Sequence, residues 1–440
     1  MRTASRYQRT LAGLGFFSLA AGDLWRNLLG WWGWGAVIGA LLALSIVELV
    51  RTRTDIRRVP LTLKVFLGLA VLSIAWSAYP GASAIGSLVT IATAAGALFF
   101  AACFTWDEIL EVFSSAIRWV LGLSLLFELV VATIIRRPVL PLWVDYSDLE
   151  KIPMAFYWSR NLLFEGGRIQ GVVGNANLLA MVALLGLIVF VARLLAHSGA
   201  RGWGWFWIGA AVITLVLTGS ATIIATAVVV AVAAVFVLIV RATSGRTRRA
   251  VIVGGVGLAV VGGAGVYLAR DVLLSLLGRS PDLTNRLTIW ETVAELAVQR
   301  PVAGWGWVSY WAPWVEPFEN LLTIKGVTYL QAHNAWLDVF LQLGVIGVLV
   351  FGAFVLGAFL RSWGLAIETP HPRMGTVTLR WPLAIAPFLL MVALLVQSLA
   401  ESRMLIELGF ALLCLIAIKT GVRDSGTANG ISERSRSARP

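Results

Sequence analysis

Long runs of apolar residues, each almost free of charge, dominate this sequence. A helix needs about 20 such residues to cross the hydrocarbon core of a bilayer, and twelve runs come close to that length. They cover roughly 10–22, 31–50, 62–78, 83–105, 119–135, 177–195, 202–219, 221–240, 250–269, 334–360, 382–400 and 404–419. The pattern predicts an all-α polytopic integral membrane protein with about twelve transmembrane helices.

Composition excludes the main alternative classes. Only 13% of the residues are charged, about half the share in soluble domains. Cys103 and Cys414 both lie inside apolar runs, so they indicate neither a disulfide framework nor a metal site. The net charge of +12 would suit nucleic acid, but an excess of arginine is expected at the cytoplasmic ends of membrane spans. We therefore expect no nucleic-acid partner.

The basic residues also predict the orientation of the chain. With twelve spans and a cytoplasmic N-terminus, the inner connections and tails hold 23 of the 35 lysines and arginines. The positive-inside rule then places both termini in the cytoplasm, in the cell (inner) membrane. The first run also fits a signal peptide with a poor cleavage site at 18–20, but charge parity favours a helix.

Two predicted outer loops are unusually long, at 136–176 and 270–333. Most loops have about 4–6 residues, and long ones are functional or disordered. These two are rich in aromatic residues and paired charges, which makes disorder a poor interpretation. We predict one transmembrane domain over 1–421, and a disordered cytoplasmic tail over 422–440.

Twelve basic residues fall on the outer side, where few are expected. Arginine binds phosphate oxygens with two parallel hydrogen bonds, so a cluster beside a bilayer indicates a phosphate-bearing lipid. Pairing with nearby acids, or contact with lipid headgroups, is the alternative for any single arginine. The long loops hold ten of the twelve: Arg136, Arg137, Lys151, Arg160, Arg168, Arg270, Arg279, Arg286, Arg300 and Lys325.

Arg286 has the most informative position. Residues 282–285 (DLTN) supply helix caps, and apolar residues at helical spacing follow up to Arg300-Pro301. This predicts an amphipathic helix outside the bilayer with Arg286 in its first turn, where the free amides and the helix dipole favour an anion. A surface helix whose arginine pairs with an acid is the alternative.

Of the three histidines, only His333 falls on the predicted outer side. It lies where the second long loop meets a span and is followed by Asn334. It is a candidate base or phosphate contact, the alternative being a structural role. Residues 168–177 (RIQGVVGNAN) enter another span, and there Asn175 or Asn177 can cap the helix.

Several catalytic signatures are missing from the sequence. It contains no P-loop, HExxH or G-x-S-x-G motif, and no D-x-D pair of the kind that many metal-dependent sugar transferases use. We therefore expect neither a metal nor another cofactor, with arginines supplying the positive charge. Asp23, the only acid in the first outer connection, is expected to be structural.

Three stretches together resemble the O-antigen ligase and polymerase superfamily. They are residues 168–180 (RIQGVVGNANLLA), 278–306 (GRSPDLTNRLTIWETVAELAVQRPVAGWG) and 333–347 (HNAWLDVFLQLGVIG), with a weaker fourth at 72–77 (LSIAWS) before Pro80. The family often has Asn-Pro-Asn where this chain has Asn175-Ala176-Asn177, a change that keeps both amides.

The resemblance implies a GT-C-like membrane glycosyltransferase that needs neither nucleotide sugar nor metal. It implies a glycan donor on a polyprenyl diphosphate, and as acceptor a glycan or surface molecule. Diphosphate recognition would fall to Arg168, Arg286 and Arg279, catalysis to His333 together with Arg168 and Arg286, and the shape of the loops to Asn175, Asn177 and Asn334. A repeat-unit polymerase is the alternative within the family. A lipid-linked oligosaccharide flippase is the alternative from another class, but it would place its ionisable residues near the middle of the bilayer.

Overall fold

A computed structural model describes residues 3–147, 150–268, 286–319, 321–324, 326–368 and 379–421. Within these residues the chain forms thirteen α-helices and one two-stranded hairpin. The helices are α1 (Arg6–Ala20), α2 (Gly22–Arg51), α3 (Leu61–Leu72), α4 (Pro80–Cys103), α5 (Trp106–Val130), α6 (Ala176–Leu195), α7 (Arg201–Thr218), α8 (Ala221–Ala242), α9 (Gly245–Leu268), α10 (Arg286–Ala297), α11 (Ala335–Ile367), α12 (Trp381–Ser398) and α13 (Glu407–Gly421). The strands are β1 (Thr323–Ile324) and β2 (Val327–Thr328).

Each of the twelve predicted spans corresponds to one of these helices, and α10 is the thirteenth. In the described part of the chain, nine helices are long and apolar enough to cross a membrane. The other three, α1, α3 and α13, have 12 to 15 residues. The all-α polytopic fold is therefore confirmed, and the protein is a multi-pass membrane protein. The predicted tail 422–440 lies outside the described residues.

Alternate connections meet at the same end of the helix bundle. The loops 136–175 and 286–334 share one end with the connections after α1, α3, α7 and α12, as the contacts from Arg26 to Glu407 and from Trp76 to Ala303 show. We call this the loop end. Contacts such as that from Ala4 to Glu108 join connections at the opposite end. This alternation is the one that the predicted topology requires.

The core lies between the most enclosed helices, α6, α12 and α13, whose residues are buried around most of their circumference. Helix α13 packs against α4 and α11, and α12 packs against α6, α8 and α11. A second, smaller core lies in the loop that follows α10, where Trp311 and Phe318 are fully buried. Because this loop has its own core, it can hold residues in fixed positions at the loop end.

The sequence predicted an unbroken helix over 334–360, but α11 is interrupted at Gly344. There φ is +63°, and a Cβ atom would lie 2.3 Å from the backbone of Val302. The backbone N–H groups of Val345 and Ile346 donate to the carbonyls of Pro301 and Val302, at 2.8 and 3.2 Å. Only glycine combines this conformation with such a close approach. The break lets the segment after α10 hydrogen-bond to the opened turn.

Helix α2 is interrupted in the same way at Gly30, where φ is +70°. The predicted span 31–50 begins directly after this break. The preceding segment, from Gly22 to Leu29, is a separate short helix at the loop end. It brings Asp23 and Arg26 beside the other connections.

Candidate functional site

One carboxylate at the loop end joins four parts of the chain. Oε1 of Glu401 accepts hydrogen bonds from Nη2 of Arg286 at 2.8 Å and from Nδ2 of Asn177 at 3.2 Å. Its Oε2 lies 2.8 Å from Nδ1 of His333. The side chain of Glu401 is only 6% exposed. The structure therefore brings Arg286 and His333 to one carboxylate, which lies in the connection between α12 and α13.

Glu401 is held ionised by its neighbours. Burial opposes its charge, but the hydrogen bond and charge of His333 and the charges of Arg286 and Arg403 outweigh this penalty, so the pKa of Glu401 is below its ordinary value. In the neutral tautomer whose Nδ1 donates to this carboxylate, Nε2 has a lone pair. In the described part of the chain, no group hydrogen-bonds Nε2 of His333.

Arg168 reaches the same cluster through an amide. Its Nε donates to the carbonyl of Thr218 at 2.8 Å, and its Nη2 donates to Oδ1 of Asn177 at 2.5 Å. The same Oδ1 accepts from Oγ of Ser220 at 2.9 Å. Because Nδ2 of Asn177 donates to Glu401, this one side chain connects Arg168 to the carboxylate that holds Arg286 and His333.

The loop that carries Arg168 is fixed by Glu128, which is buried at the end of α5. Oε1 of Glu128 accepts from the backbone N–H groups of Gln170 and Gly171, at 2.9 and 2.7 Å. Its Oε2 accepts from Oγ of Ser159 at 2.8 Å. Gly171 has φ +57°, and a Cβ there would overlap the side chain of Ser124 at 2.4 Å. Gly171 therefore permits the turn that positions Arg168.

Two asparagines cap the helices that enter the site. Oδ1 of Asn175 accepts from the backbone N–H groups of Asn177 and Leu178 at 2.9 and 3.2 Å. Oδ1 of Asn334 does the same for the first turn of α11, at 3.0 and 3.2 Å. Each cap satisfies amides that the helix leaves unpaired. The caps also fix two residues that contact Glu401: Asn177, which is two positions after Asn175, and His333, which precedes Asn334.

His333 occupies a left-handed backbone conformation with φ +50°, which is uncommon for a residue other than glycine. Two contacts hold it there. Its ring lies edge-on to Tyr329, with 5.7 Å between the centroids. Buried Asp338 accepts from the N–H of Ala332 at 3.0 Å and from Oγ of Ser402. Asp338 thus ties the residue before His333 to the residue after Glu401.

Several sequence candidates lie elsewhere or cannot be placed. Arg279 and the predicted caps at 282–285 lie outside the described residues. Arg160 donates to the carbonyl of Met154, and Arg300 stacks on Trp305 at 4.3 Å. On the predicted apolar face of α10, Leu287 is 41% exposed and Trp290 is half-buried. The buried residues of this face are Ile289, Val293, Leu296 and Ala297.

Sequence reasoning missed Glu401. The predicted spans 382–400 and 404–419 leave only three residues between them, too few to predict a site. The signal in the sequence is an acid and an arginine, Glu401 and Arg403, at the junction of two apolar runs.

Part of the chain is similar in sequence to known proteins. The O-antigen ligase family model matches residues 206–352, which include Arg286 and His333 but neither Arg168 nor Glu401. The exopolysaccharide production protein ExoQ of Rhizobium meliloti (strain 1021) is 27% identical over 114 residues. That alignment covers 25% of this chain and 25% of the relative, so the chain spans a quarter of the length of the curated relative that it matches. The two matches confirm the resemblance of this chain to the O-antigen ligase superfamily.

Proposed function

We propose that this protein is a membrane glycosyltransferase. It would transfer a glycan from a polyprenyl diphosphate to an acceptor hydroxyl at the loop end, which would face the outside of the cytoplasmic membrane, with both termini in the cytoplasm. The observation that carries the proposal is the cluster around Glu401, because it combines two arginines with a histidine whose Nε2 is unoccupied among the described residues. The resemblance to the O-antigen ligase family supports the reaction class.

The charge of the cluster suits a diphosphate. Among the described residues that join at Glu401, Arg168 and Arg286 each carry a positive charge and Glu401 carries a negative one. A guanidinium has five N–H donors, and Arg286 uses one of its nitrogens, Nη2, for Glu401. Its other donors would bind phosphate oxygens and stabilise the charge that develops as the sugar leaves. No metal or other cofactor is needed for this role.

His333 would act as the general base. Nε2 would take the proton of the acceptor hydroxyl while the hydroxyl oxygen attacks the anomeric carbon. The bond from that carbon to the phosphate oxygen would break, and its electron pair would leave with the polyprenyl diphosphate. Glu401 would hold the imidazole in the required tautomer and stabilise the imidazolium that forms. The products are a new glycosidic bond and the free lipid diphosphate.

A repeat-unit polymerase is the second candidate, because the name of the relative assigns it to exopolysaccharide production. A ligase and a polymerase would share this chemistry and differ in the acceptor, which for a polymerase is another lipid-linked repeat unit. A flippase is less well supported, because the cluster described above lies at helix ends rather than inside the spans.

Deleting the gene in the native host tests the proposal. The measurement is the length and membrane side of the glycan that stays on the polyprenyl carrier. Long lipid-linked chains would indicate a ligase, and single repeat units would indicate a polymerase. An unchanged pool, or accumulation on the cytoplasmic face, would contradict the proposed transfer reaction.

A further inference from the structure

A second charged cluster lies at the loop end beside the Glu401 site. It consists of Asp23, Arg26, Arg403 and Glu407, and we call it the paired-charge cluster. Nη1 of Arg26 lies 2.7 Å from Oε1 of Glu407, and its Nη2 lies 2.7 Å from Oδ1 of Asp23. Nη1 of Arg403 lies 3.1 Å from Oε2 of Glu407. Two separate parts of the chain contribute to it, the first segment of α2 and the connection that leads into α13.

The paired-charge cluster adjoins the Glu401 site on two sides. Arg403 follows Glu401 by two residues, so their Cα atoms are at most about 7 Å apart, and its charge contributes to the lowered pKa of Glu401. A Cβ atom on Gly174 would lie 3.4 Å from Nδ2 of Asn27 and 3.8 Å from Cβ of Asp23. The short first segment of α2 therefore packs against the loop that carries Arg168.

The cluster is partly open. The side chains of Asp23 and Glu407 are 28% and 24% exposed. Gly22 lets the backbone pass close to the ion pair, because a Cβ there would lie only 3.2 Å both from Nη2 of Arg26 and from Oε1 of Glu407. A ligand would therefore contact the cluster at the exposed parts of its two carboxylates.

Aromatic residues border the cluster. Trp31 and Trp34 lie against the Arg26 guanidinium, at 5.2 and 5.5 Å from the ring centroids, and Trp31 is 69% exposed. Tyr310 is within electrostatic range of all four charged residues. In the part of the chain that the structure describes, its hydroxyl makes no hydrogen bond.

The charge balance distinguishes this cluster from the Glu401 site. Two arginines and two carboxylates sum to zero, so the cluster offers an anion no net attraction. Carboxylates accept hydrogen bonds and guanidinium groups donate them, which is the combination that the hydroxyls of a neutral sugar require. Exposed aromatic faces supply apolar contact for a sugar ring. A neutral, hydroxyl-rich ligand fits better than a second diphosphate.

We propose that the paired-charge cluster, with Tyr310, binds the acceptor sugar beside the Glu401 site. This inference rests on the proposed transferase function, because it assigns the second substrate of that reaction. Arg403 of this cluster follows Glu401 by two residues, so a sugar bound here would lie beside the connection that contacts His333. The alternative is a purely structural ion network that ties α2 to α13.

The Tyr310→Phe variant separates the two roles. The change removes the Tyr310 hydroxyl, which makes no hydrogen bond among the described residues, and leaves all three ion pairs in place. The probes are fragments of one to four repeat units from the extracellular polysaccharide of the native host, as the acceptor of a polymerase, and the isolated oligosaccharide of the host's surface acceptor, as the acceptor of a ligase. Binding of both kinds of fragment to the full-length protein in lipid nanodiscs is measured by saturation-transfer NMR. Tyr157→Phe is the control, since this outer-loop tyrosine also has no hydrogen bond among the described residues.

We expect Tyr310→Phe to weaken fragment binding about threefold to tenfold, the effect of losing one or two hydrogen bonds. Asp23→Asn should weaken it further, and Tyr157→Phe should leave it unchanged. Equal binding by Tyr310→Phe, Asp23→Asn and the wild type, or no binding by the wild type, would overturn the assignment. Polyprenyl diphosphate binding, measured on the same samples, reports separately on the donor site. Its absence from the wild type would contradict the proposed function instead.

Discussion

The carboxylate of Glu401 lies 2.8 Å from Nδ1 of His333, although 68 positions separate the two residues in the chain. The contact fixes the orientation of the imidazole, so that Nε2 is the nitrogen left for a substrate. It also makes the histidine depend on the connection between α12 and α13, which no sequence motif marked. Substitutions at His333, Glu401, Arg286 and Gly344 test this arrangement.

His333→Ala should reduce glycan transfer by about 10²- to 10⁴-fold, the usual contribution of a general base. Donor binding should persist, because Arg168 and Arg286 keep their contacts with Asn177 and Thr218 or with Glu401. Transfer is measured with the purified protein in nanodiscs and a polyprenyl-diphosphate-linked glycan. His197→Ala is the control, since His197 follows α6 at the opposite end of the bundle. Full activity of His333→Ala would remove the assigned role.

Glu401→Gln should lower transfer by about 10- to 100-fold, the range expected for loss of hydrogen bonds to a charged group. The neutral amide no longer balances the charge of Arg286, and it does not fix the proton on Nδ1 of His333. Glu319→Gln, in the second long loop, is the control. If Glu401→Gln retained wild-type transfer, the carboxylate would not be needed to position the histidine.

Acidification should weaken the site through Glu401. The pKa of Glu401 is lower in the folded protein than its ordinary value, so its ionisation stabilises the fold at pH values above the ordinary range. That contribution is lost as the pH falls from the ordinary glutamate range through the lowered pKa. Thermal unfolding of the wild type and Glu401→Gln between pH 3 and 7 measures this. The difference between the two proteins should shrink towards pH 3, and a constant difference would contradict the ionised carboxylate.

Arg286→Lys should impair donor binding although it keeps the positive charge. An ammonium group cannot contact Glu401 and a phosphate through the fixed fork of a guanidinium. We expect a loss of about tenfold in affinity for polyprenyl diphosphate, measured by titration in nanodiscs. Arg160→Lys, in the other long loop, should bind as the wild type does. Equal affinity of the two variants would show that Arg286 supplies only charge.

Gly344→Ala should destabilise the protein by at least about 2 kcal/mol, because a left-handed residue acquires a side chain and its Cβ overlaps Val302. Gly364→Ala is a matched control in the same helix, where a Cβ would meet nothing within 4 Å. Replacing glycine by alanine there should stabilise slightly. The melting temperatures of both variants in nanodiscs give the comparison. Similar melting temperatures would mean that the break in α11 is not required for the fold.

The number and the approximate places of the membrane-spanning helices follow from the apolar runs in the sequence. Long apolar runs must form helices in lipid, since every backbone hydrogen bond has to be satisfied within the segment, and twelve such runs became twelve helices. Local rules also sufficed for the capped start of α6, where Asn175, one of the two predicted caps, bonds to amides two and three residues away. The helix α10 followed from the same kind of local pattern.

The contacts that connect the site residues through Glu401 depend on tertiary packing. Glu401 contacts residues 68, 115 and 224 positions away, and no periodicity or motif encodes a contact between connections of different helix pairs. The break at Gly344 was hidden inside an apolar run for the same reason: a glycine in such a run fits a continuous helix equally well. What selects the break is the backbone of another segment, Pro301 and Val302, which takes the hydrogen bonds that the opened turn of α11 gives up.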